Sequence, residues 1–327
     1  MNPVRSLARQ VKLGESHRDL GGATSNGMKI IESNGLQWID ILKPKNEDIR
    51  FLEDNFKFHH VILEEIKTPT YHPLLEPYDD YLFLILHFPN FYRKSKQIQS
   101  IEIDFLITKN ALVTVRYQDF PDLENIFQGV EQNKDNYFNK TTGHLFHHLN
   151  KKLFSKMFPE LDEIKKSIDD IEDHIFKNFG DDIIEKVAYI KRQVLDFMRA
   201  LKPQKAVWEA MHDTTLEFWG EEIKPYISDL IADYNRTLHF VETHREVIDS
   251  LHLTSSSLLD NRRNYVIKIL TVFTAILLPL SLVASIYGMN LTYLPLANHP
   301  YIFWWFSGGM IFVTTIAIVW LKKNKWI

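Results

Sequence analysis

Two uncharged apolar runs close this chain, Ile269 to Tyr287 and Tyr301 to Leu321, and they leave it few ways to fold. Each matches the about 20 residues that a helix needs to cross a bilayer core. In lipid the backbone has to bond to itself, so such a run takes the form of a helix. A short connection separates the two, which makes them a helical hairpin. Aromatic residues gather near their ends (Tyr287, Tyr293, Tyr301, Trp304, Trp305, Trp320, Trp326), as interfacial belts do. Arg262, Arg263 and Lys268 flank the first run, Lys322, Lys323 and Lys325 follow the second, and the loop between them has no lysine or arginine. The positive-inside rule puts both termini in the cytoplasm and the 288–300 loop outside.

The remaining sequence has the composition of a folded protein, with 24% charged residues and a net charge of −4, which gives no reason to expect a nucleic-acid partner. There is no cysteine, so thiolate metal sites and cysteine nucleophiles are excluded. No phosphate-binding lysine loop, dinucleotide fingerprint or motif-marked Ser/His/Asp arrangement occurs, so neither an enzyme nor an organic cofactor is expected. Residues 1–27 read as a loose tail.

Residues 28–224 read as an α/β cytoplasmic domain, a mixed sheet flanked by helices, with an acidic helical hairpin. Met28–Ser33 and Leu36–Leu42 flank Asn34-Gly35, a hairpin signal. Tyr81 to Phe88, Ile98 to Thr108 and Ala111 to Tyr117 are further strands, and Lys45 to Phe56 and His59 to Lys67 are helices. A helix from about Gly143 to Phe176 carries Ile164, Ile168, Ile171 and Ile175 on one face and a run of acids on the other. Gly180 breaks it, and Asp181 caps a second helix that ends near Leu201. His144, His147 and His148 have metal-ligand spacing but no evident fourth ligand, so they read as a packed or solvated helix face.

From Pro225 no proline or glycine occurs until Pro279, so one helix over 225–287 is expected, with its membrane span at about 266–287. At ~1.5 Å per residue it is roughly 95 Å long, far more than a bilayer requires. It carries a cytoplasmic stalk as well as the first span. Asn264, Thr271, Leu278 and Ser285 are spaced by seven, as are Ile267, Thr274, Ser281 and Gly288. The two sets interleave into one stripe that holds most of the span's small polar side chains. Such a stripe suits several parallel copies packed around an axis, and equally ordinary small-residue helix packing. It holds no carboxylate. That suits a cation that keeps its water, as Mg²⁺ does because it dehydrates reluctantly. Leu278 and Ile267 are then apolar constrictions able to gate by dewetting.

The segment Tyr287-Gly288-Met289-Asn290, the preceding Pro279, the two terminal spans and the closing Lys322-Lys323-Asn324-Lys325-Trp326 resemble the CorA family of magnesium transport proteins. Phe105-Leu106-Ile107-Thr108-Lys109-Asn110 and Val61-Ile62-Leu63-Glu64-Glu65-Ile66 extend the resemblance, which covers about residues 36–327. It implies a homopentameric funnel in the plasma (inner) membrane, with the long helices around the pore and the second spans (301–321) as an outer ring. By that resemblance Gly288, Met289 and Asn290 form the outer selectivity filter, and Asn264, Ile267, Leu270, Thr271, Thr274, Leu278, Ser281 and Ser285 line the pore. Glu65 and Asp229 hold regulatory Mg²⁺ between subunits, and Lys322, Lys323 and Lys325 in the 322–327 tail form a basic collar.

The sequence departs from the family in two places. Glu65 is one carbon longer than the expected aspartate. The loop from Leu291 to Pro300 lacks the acidic residue that often follows the signature, so cation capture there rests on Asn290 and backbone dipoles. The function implied is Mg²⁺ influx, with Co²⁺ and Ni²⁺ also carried. The alternatives are a zinc transporter of the same fold and a membrane-anchored divalent-cation sensor.

Overall fold

The computed structural model describes residues 27–92, 97–177, 182–289 and 301–323. The expected loose tail, the break at Gly180-Asp181, Asn290 with the rest of the loop, and Lys325 lie outside them. Strands β1 (Met28–Ser33) and β2 (Leu36–Leu42) pair around Asn34 and Gly35, both with positive φ, 53° and 76°. That conformation makes a tight hairpin turn and favours Asn-Gly. Helices α1 (Asn46–Asn55) and α2 (His60–Glu65) follow. Then come β3 (Leu74–Pro77), β4 (Tyr81–Tyr92), β5 (Gln97–Thr108) and β6 (Ala111–Arg116). The sheet order is β1-β2-β6-β5-β4-β3, and only β2 and β6 run parallel. It is the expected mixed sheet.

Two short helices, α3 (Pro121–Gln132) and α4 (Lys134–Tyr137), precede α5 (Thr142–Lys177), α6 (Asp182–Leu201) and α7 (Lys205–Trp219). The long helix α8 (Lys224–Tyr287) has 64 residues, and α9 (Ile302–Lys323) closes the described chain. On one face of the sheet Ile39, Ile41, Phe83, Ile85, Leu106 and Val113 form a core with Ile49 and Leu52 of α1 and Ile62 and Leu63 of α2. On the other, Trp38 meets Phe127 of α3, and Phe105 meets Phe146 of α5. Period-2 alternation in β4 and β5 supplies both faces at once, so helices cover the sheet on both sides.

Strand β4 runs four residues beyond the expected end, through Pro89 to Tyr92. Its partner β3 pairs only with Leu82 to Ile85, so further along β4 one edge is open. Proline has no N–H to lose on an open edge. Beside it, at His87, the Gln204 amide accepts from the backbone N–H (3.2 Å) and donates to the backbone carbonyl (2.6 Å), as a neighbouring strand would.

Ile164, Ile168, Ile171 and Ile175 are all buried, as their spacing predicted. On the acidic face of α5, Asp162 pairs with Lys166 at 2.7 Å and both are exposed, which is how a solvated face behaves. The chain forms two compact units: Met1–Lys166 with Arg192–Arg245, and Ser167–Lys191 with Glu246–Ile327. Helices α5, α6 and α8 each run through both.

Candidate functional site

The second unit contains both apolar helices. Neither apolar window is buried within the chain, although a soluble core helix of that composition would be. Leu270, Phe273, Leu277 and Leu278 are each more than half exposed. Surface of this kind needs an apolar surrounding, lipid or other copies. Ile276, Leu280 and Val283 of α8 are half-buried, and with Trp305, Gly309 and Val313 of α9 they line an apolar cleft of about 420 Å³. Phe273 and Leu277 lie outside the contact.

The polar stripe points away from α9. Asn264, Ile267, Leu270, Thr271, Thr274, Leu278, Ser281 and Ser285 are all exposed. Three of its hydroxyls share one arrangement. Thr271 donates to the Ile267 carbonyl and Thr274 to the Leu270 carbonyl, each at 2.8 Å, and Ser281 donates to the Leu278 carbonyl at 3.0 Å. A hydroxyl has one proton and two lone pairs. With the proton committed to the helix, each oxygen faces outward as an acceptor.

Continued five turns (about 3.6 residues each) before Leu278, the same face reaches Asp260, an exposed carboxylate. The absence of carboxylates therefore holds for the span and ends just beyond it. The sequence signal was present, because the heptad ladder extends one step further from Ile267.

Helix α8 ends at Tyr287, and the Gly288 N–H still bonds to the Ala284 carbonyl at 3.0 Å. A Cβ on Gly288 would stand 3.2 Å from that carbonyl oxygen, tighter than side chains normally tolerate. Glycine thus lets the chain leave the helix without displacing it. Met289 is exposed, and Asn290 lies outside the described residues. Lys322 and Lys323 sit in the last turn of α9, where cations complement the helix dipole.

The two expected regulatory carboxylates belong to the first unit and have different neighbours. Among the described residues no hydrogen bond or ion pair joins them. Glu65 ends α2, and burial raises its pKa, helped by the charges of Glu76 and Glu102. Behind it, burial pushes Asp104 well above the usual carboxylate range, the charges of Glu102 and Glu65 add to this, and the Tyr117 hydroxyl at 2.5 Å opposes it. Burial acts on Glu102 as well, but His87 and the Thr70 and Tyr71 N–H groups outweigh it and hold Glu102 low. A divalent cation beside Glu65 would offset the charges of Glu76 and Glu102, which is the direction of effect that the resemblance implies for this residue.

Asp229 does not fit it. Its Oδ2 is 2.9 Å from His147 Nε2, and its Oδ1 accepts from Lys151 Nζ at 2.9 Å. The same ammonium reaches Asp233 Oδ2 at 2.7 Å. Hydrogen bonds from His147 and then Lys151 lower the Asp229 pKa, and Asp233 and Asp229 raise that of Lys151. Of the three histidines, His147 takes this role, His144 bonds Thr141, and His148 packs on Tyr137. Burial lowers His148 to about 4, with Lys152 and His147 adding to the effect, so it is neutral at physiological pH. Among the described residues no group of three or more His, Cys, Asp or Glu side chains is ready to hold a metal.

Residues 33–323 match the family model described as CorA-like Mg2+ transporter protein. A cobalt/magnesium transport protein CorA from Thermotoga maritima is 23% identical over 90% of this chain and 85% of its own length. The corresponding Methanocaldococcus jannaschii protein is 24% identical over 90% of this chain and 93% of its own. The complete structure of the M. jannaschii CorA magnesium transporter superposes with a TM-score of 0.75, covering 91% of this chain and 93% of that one.

Proposed function

This chain belongs to the CorA-like Mg2+ transporter family, and from that premise we propose that it is a passive divalent-cation channel admitting Mg²⁺, with Co²⁺ and Ni²⁺ also carried. The observation that carries the reading is the set of three hydroxyls along the α8 stripe whose protons are committed to the helix, which leaves their oxygens as acceptors. The water shell of a cation points its hydrogens outward, so such a surface suits a hydrated cation. Mg²⁺ holds that shell tightly. The working assembly is a homopentamer in the membrane, with α8 stripes around the axis, α9 outermost and both termini cytoplasmic. Gly288, Met289 and Asn290 form the outer filter, and Ile267, Leu270 and Leu278 form apolar constrictions. Residues 28–224 lie in the cytoplasm, and Glu65 with its acidic neighbours senses internal divalent cation. The inward driving force is the ion gradient together with the membrane potential, worth about 2.3 kcal/mol per charge per 100 mV.

The test is flux into proteoliposomes with an inside-negative potential, with Mg²⁺, Co²⁺, Ni²⁺ and Zn²⁺ measured in parallel. Uptake of Mg²⁺ with Co²⁺ supports the reading. Zn²⁺ uptake without Mg²⁺ replaces it with a zinc transporter, and no flux of any divalent ion leaves only a membrane-anchored sensor.

A further inference from the structure

Two ladders face each other inside the first unit. His147 and Lys151 stand at i and i+4 on α5, and Asp229 and Asp233 stand at i and i+4 on α8. Lys151 Nζ bridges the two carboxylates at 2.9 and 2.7 Å, and His147 Nε2 takes the remaining Asp229 oxygen at 2.9 Å. A positive charge held between two carboxylates occupies the position a metal ion would take. We propose that Lys151 is a tethered counter-cation filling a divalent-cation seat made by Asp229, Asp233 and His147, so that Asp229 needs no divalent ion while the lysine is in place.

Three features support this. The seat is within one chain, so the ammonium is always at high local concentration and a free ion has to displace it. A hard divalent ion needs several oxygens at once, and here both Asp229 oxygens and one Asp233 oxygen are already accepting. Asp233 is mostly buried, and Lys151 and Asp229 are less than half exposed, so the pair is partly shielded from screening. With the ammonium gone, the seat offers carboxylate oxygen and imidazole nitrogen. That mixture suits Co²⁺ or Ni²⁺ better than Mg²⁺, which prefers oxygen alone. The proposal also bears on regulation, and this part rests on the channel reading above. Internal divalent cation then acts through the Glu65 side, and Lys151 sets how little the Asp229 side responds.

The experiment uses the full chain in detergent and compares wild type, Lys151→Met, Lys151→Gln, Asp229→Asn and the double variant Lys151→Met/Asp229→Asn. The thermal midpoint is followed against Co²⁺ and Mg²⁺ concentration. Without divalent ion the Lys151 variants melt below wild type, since two carboxylates are left facing each other. Co²⁺ should restore them with saturation at a concentration at least about tenfold below any wild-type response, because a like charge next to the ion has been removed. Mg²⁺ should do so more weakly, and the double variant should lose the response.

Lys151 variants with a wild-type Co²⁺ response would overturn the proposal. So would a wild-type Co²⁺ response that disappears on Asp229→Asn alone, because Asp229 would then bind the ion with the lysine present. Proteoliposome flux at low and high internal Mg²⁺ is measured on the same proteins. Loss of all flux there refutes the channel and leaves the melting result to decide the seat.

Discussion

Replacing the Thr274 hydroxyl by a methyl tests the conduction path most directly. Thr274→Val keeps the shape of the side chain and removes one oxygen. The helix loses little, because the hydroxyl bonds only to its own Leu270 carbonyl at 2.8 Å, and valine and threonine have similar helix propensity. What disappears is an outward acceptor in every subunit. A hydrogen bond of this kind contributes about 1 kcal/mol net. In the proposed pentamer two or three of the five hydroxyls contact a hydrated ion at once, so passage at this level becomes harder by about 2–3 kcal/mol. That corresponds to an uptake rate roughly 30- to 150-fold lower.

The assay is dye-reported Mg²⁺ uptake into proteoliposomes, with oligomer size checked by light scattering. Thr315→Val is the control. Thr315 donates to the Ile311 carbonyl at 2.7 Å in the same way and is exposed, but it lies on α9, outside the stripe. It should leave uptake within about threefold of wild type, the loss of a fraction of one such bond. If Thr274→Val conducts like wild type, or if Thr315→Val loses as much, the acceptor argument is wrong.

Three further outcomes are expected. Asn290→Ala abolishes Mg²⁺ uptake while the oligomer persists, as flux and light scattering on the same sample will show; normal uptake would remove Asn290 from the filter. Asp260→Asn slows Mg²⁺ flux severalfold at low ionic strength and much less at high salt, since a ring of charge at the inner end of the stripe is screened within about 10 Å at 0.1 M; a salt-independent effect counts against it. Asp104→Asn changes the pH dependence of stability. The raised folded-state pKa of Asp104 means that its contribution is complete below the unfolded value and is lost as pH rises toward the folded one. The asparagine variant escapes that loss, so its thermal midpoint gains on wild type as pH rises above the range of an unfolded aspartate. Parallel pH profiles would refute the assignment.

What could be read from the sequence was whatever a single helix or turn encodes. The β1–β2 hairpin follows from Asn34-Gly35, and the stripe follows from a period that one helix sets by itself. The end of β4 was misread because the cost of Pro89 depends on whether the edge is paired, and a sequence does not say which strand ends where. Strand β3 was not anticipated, since Leu74–Pro77 is too short to alternate and ends in proline. The Lys151 seat was missed for a different reason. Lys151 and Asp229 stand 78 residues apart and meet only because α5 packs against α8. Even so, the spacings of His147 with Lys151 and of Asp229 with Asp233 were in view as two opposite-charge i, i+4 ladders, and such pairs are worth testing against each other before either is assigned to a metal.

In the proposed channel, the committed hydroxyl protons would let a span without charge select for charge. An anion needs donors, and Thr271, Thr274 and Ser281 direct theirs into the helix. A bare Mg²⁺ needs six oxygens in near-octahedral array, and hydroxyls fixed to helices around an axis wide enough for several copies are too dispersed to supply them. A cation that keeps its water needs only acceptors at the distance of that water, and this is what the stripe presents. The same bonds reduce the cost of these three hydroxyls when no ion is present, because their donors are satisfied next to apolar neighbours such as Leu278. A carboxylate in the middle of the span would bind the ion more strongly but would hold it there. In the proposed channel, placing the first carboxylate at Asp260, beyond the span, would attract the cation to the path's inner end while leaving the narrow part only weakly sticky, the balance that conduction requires.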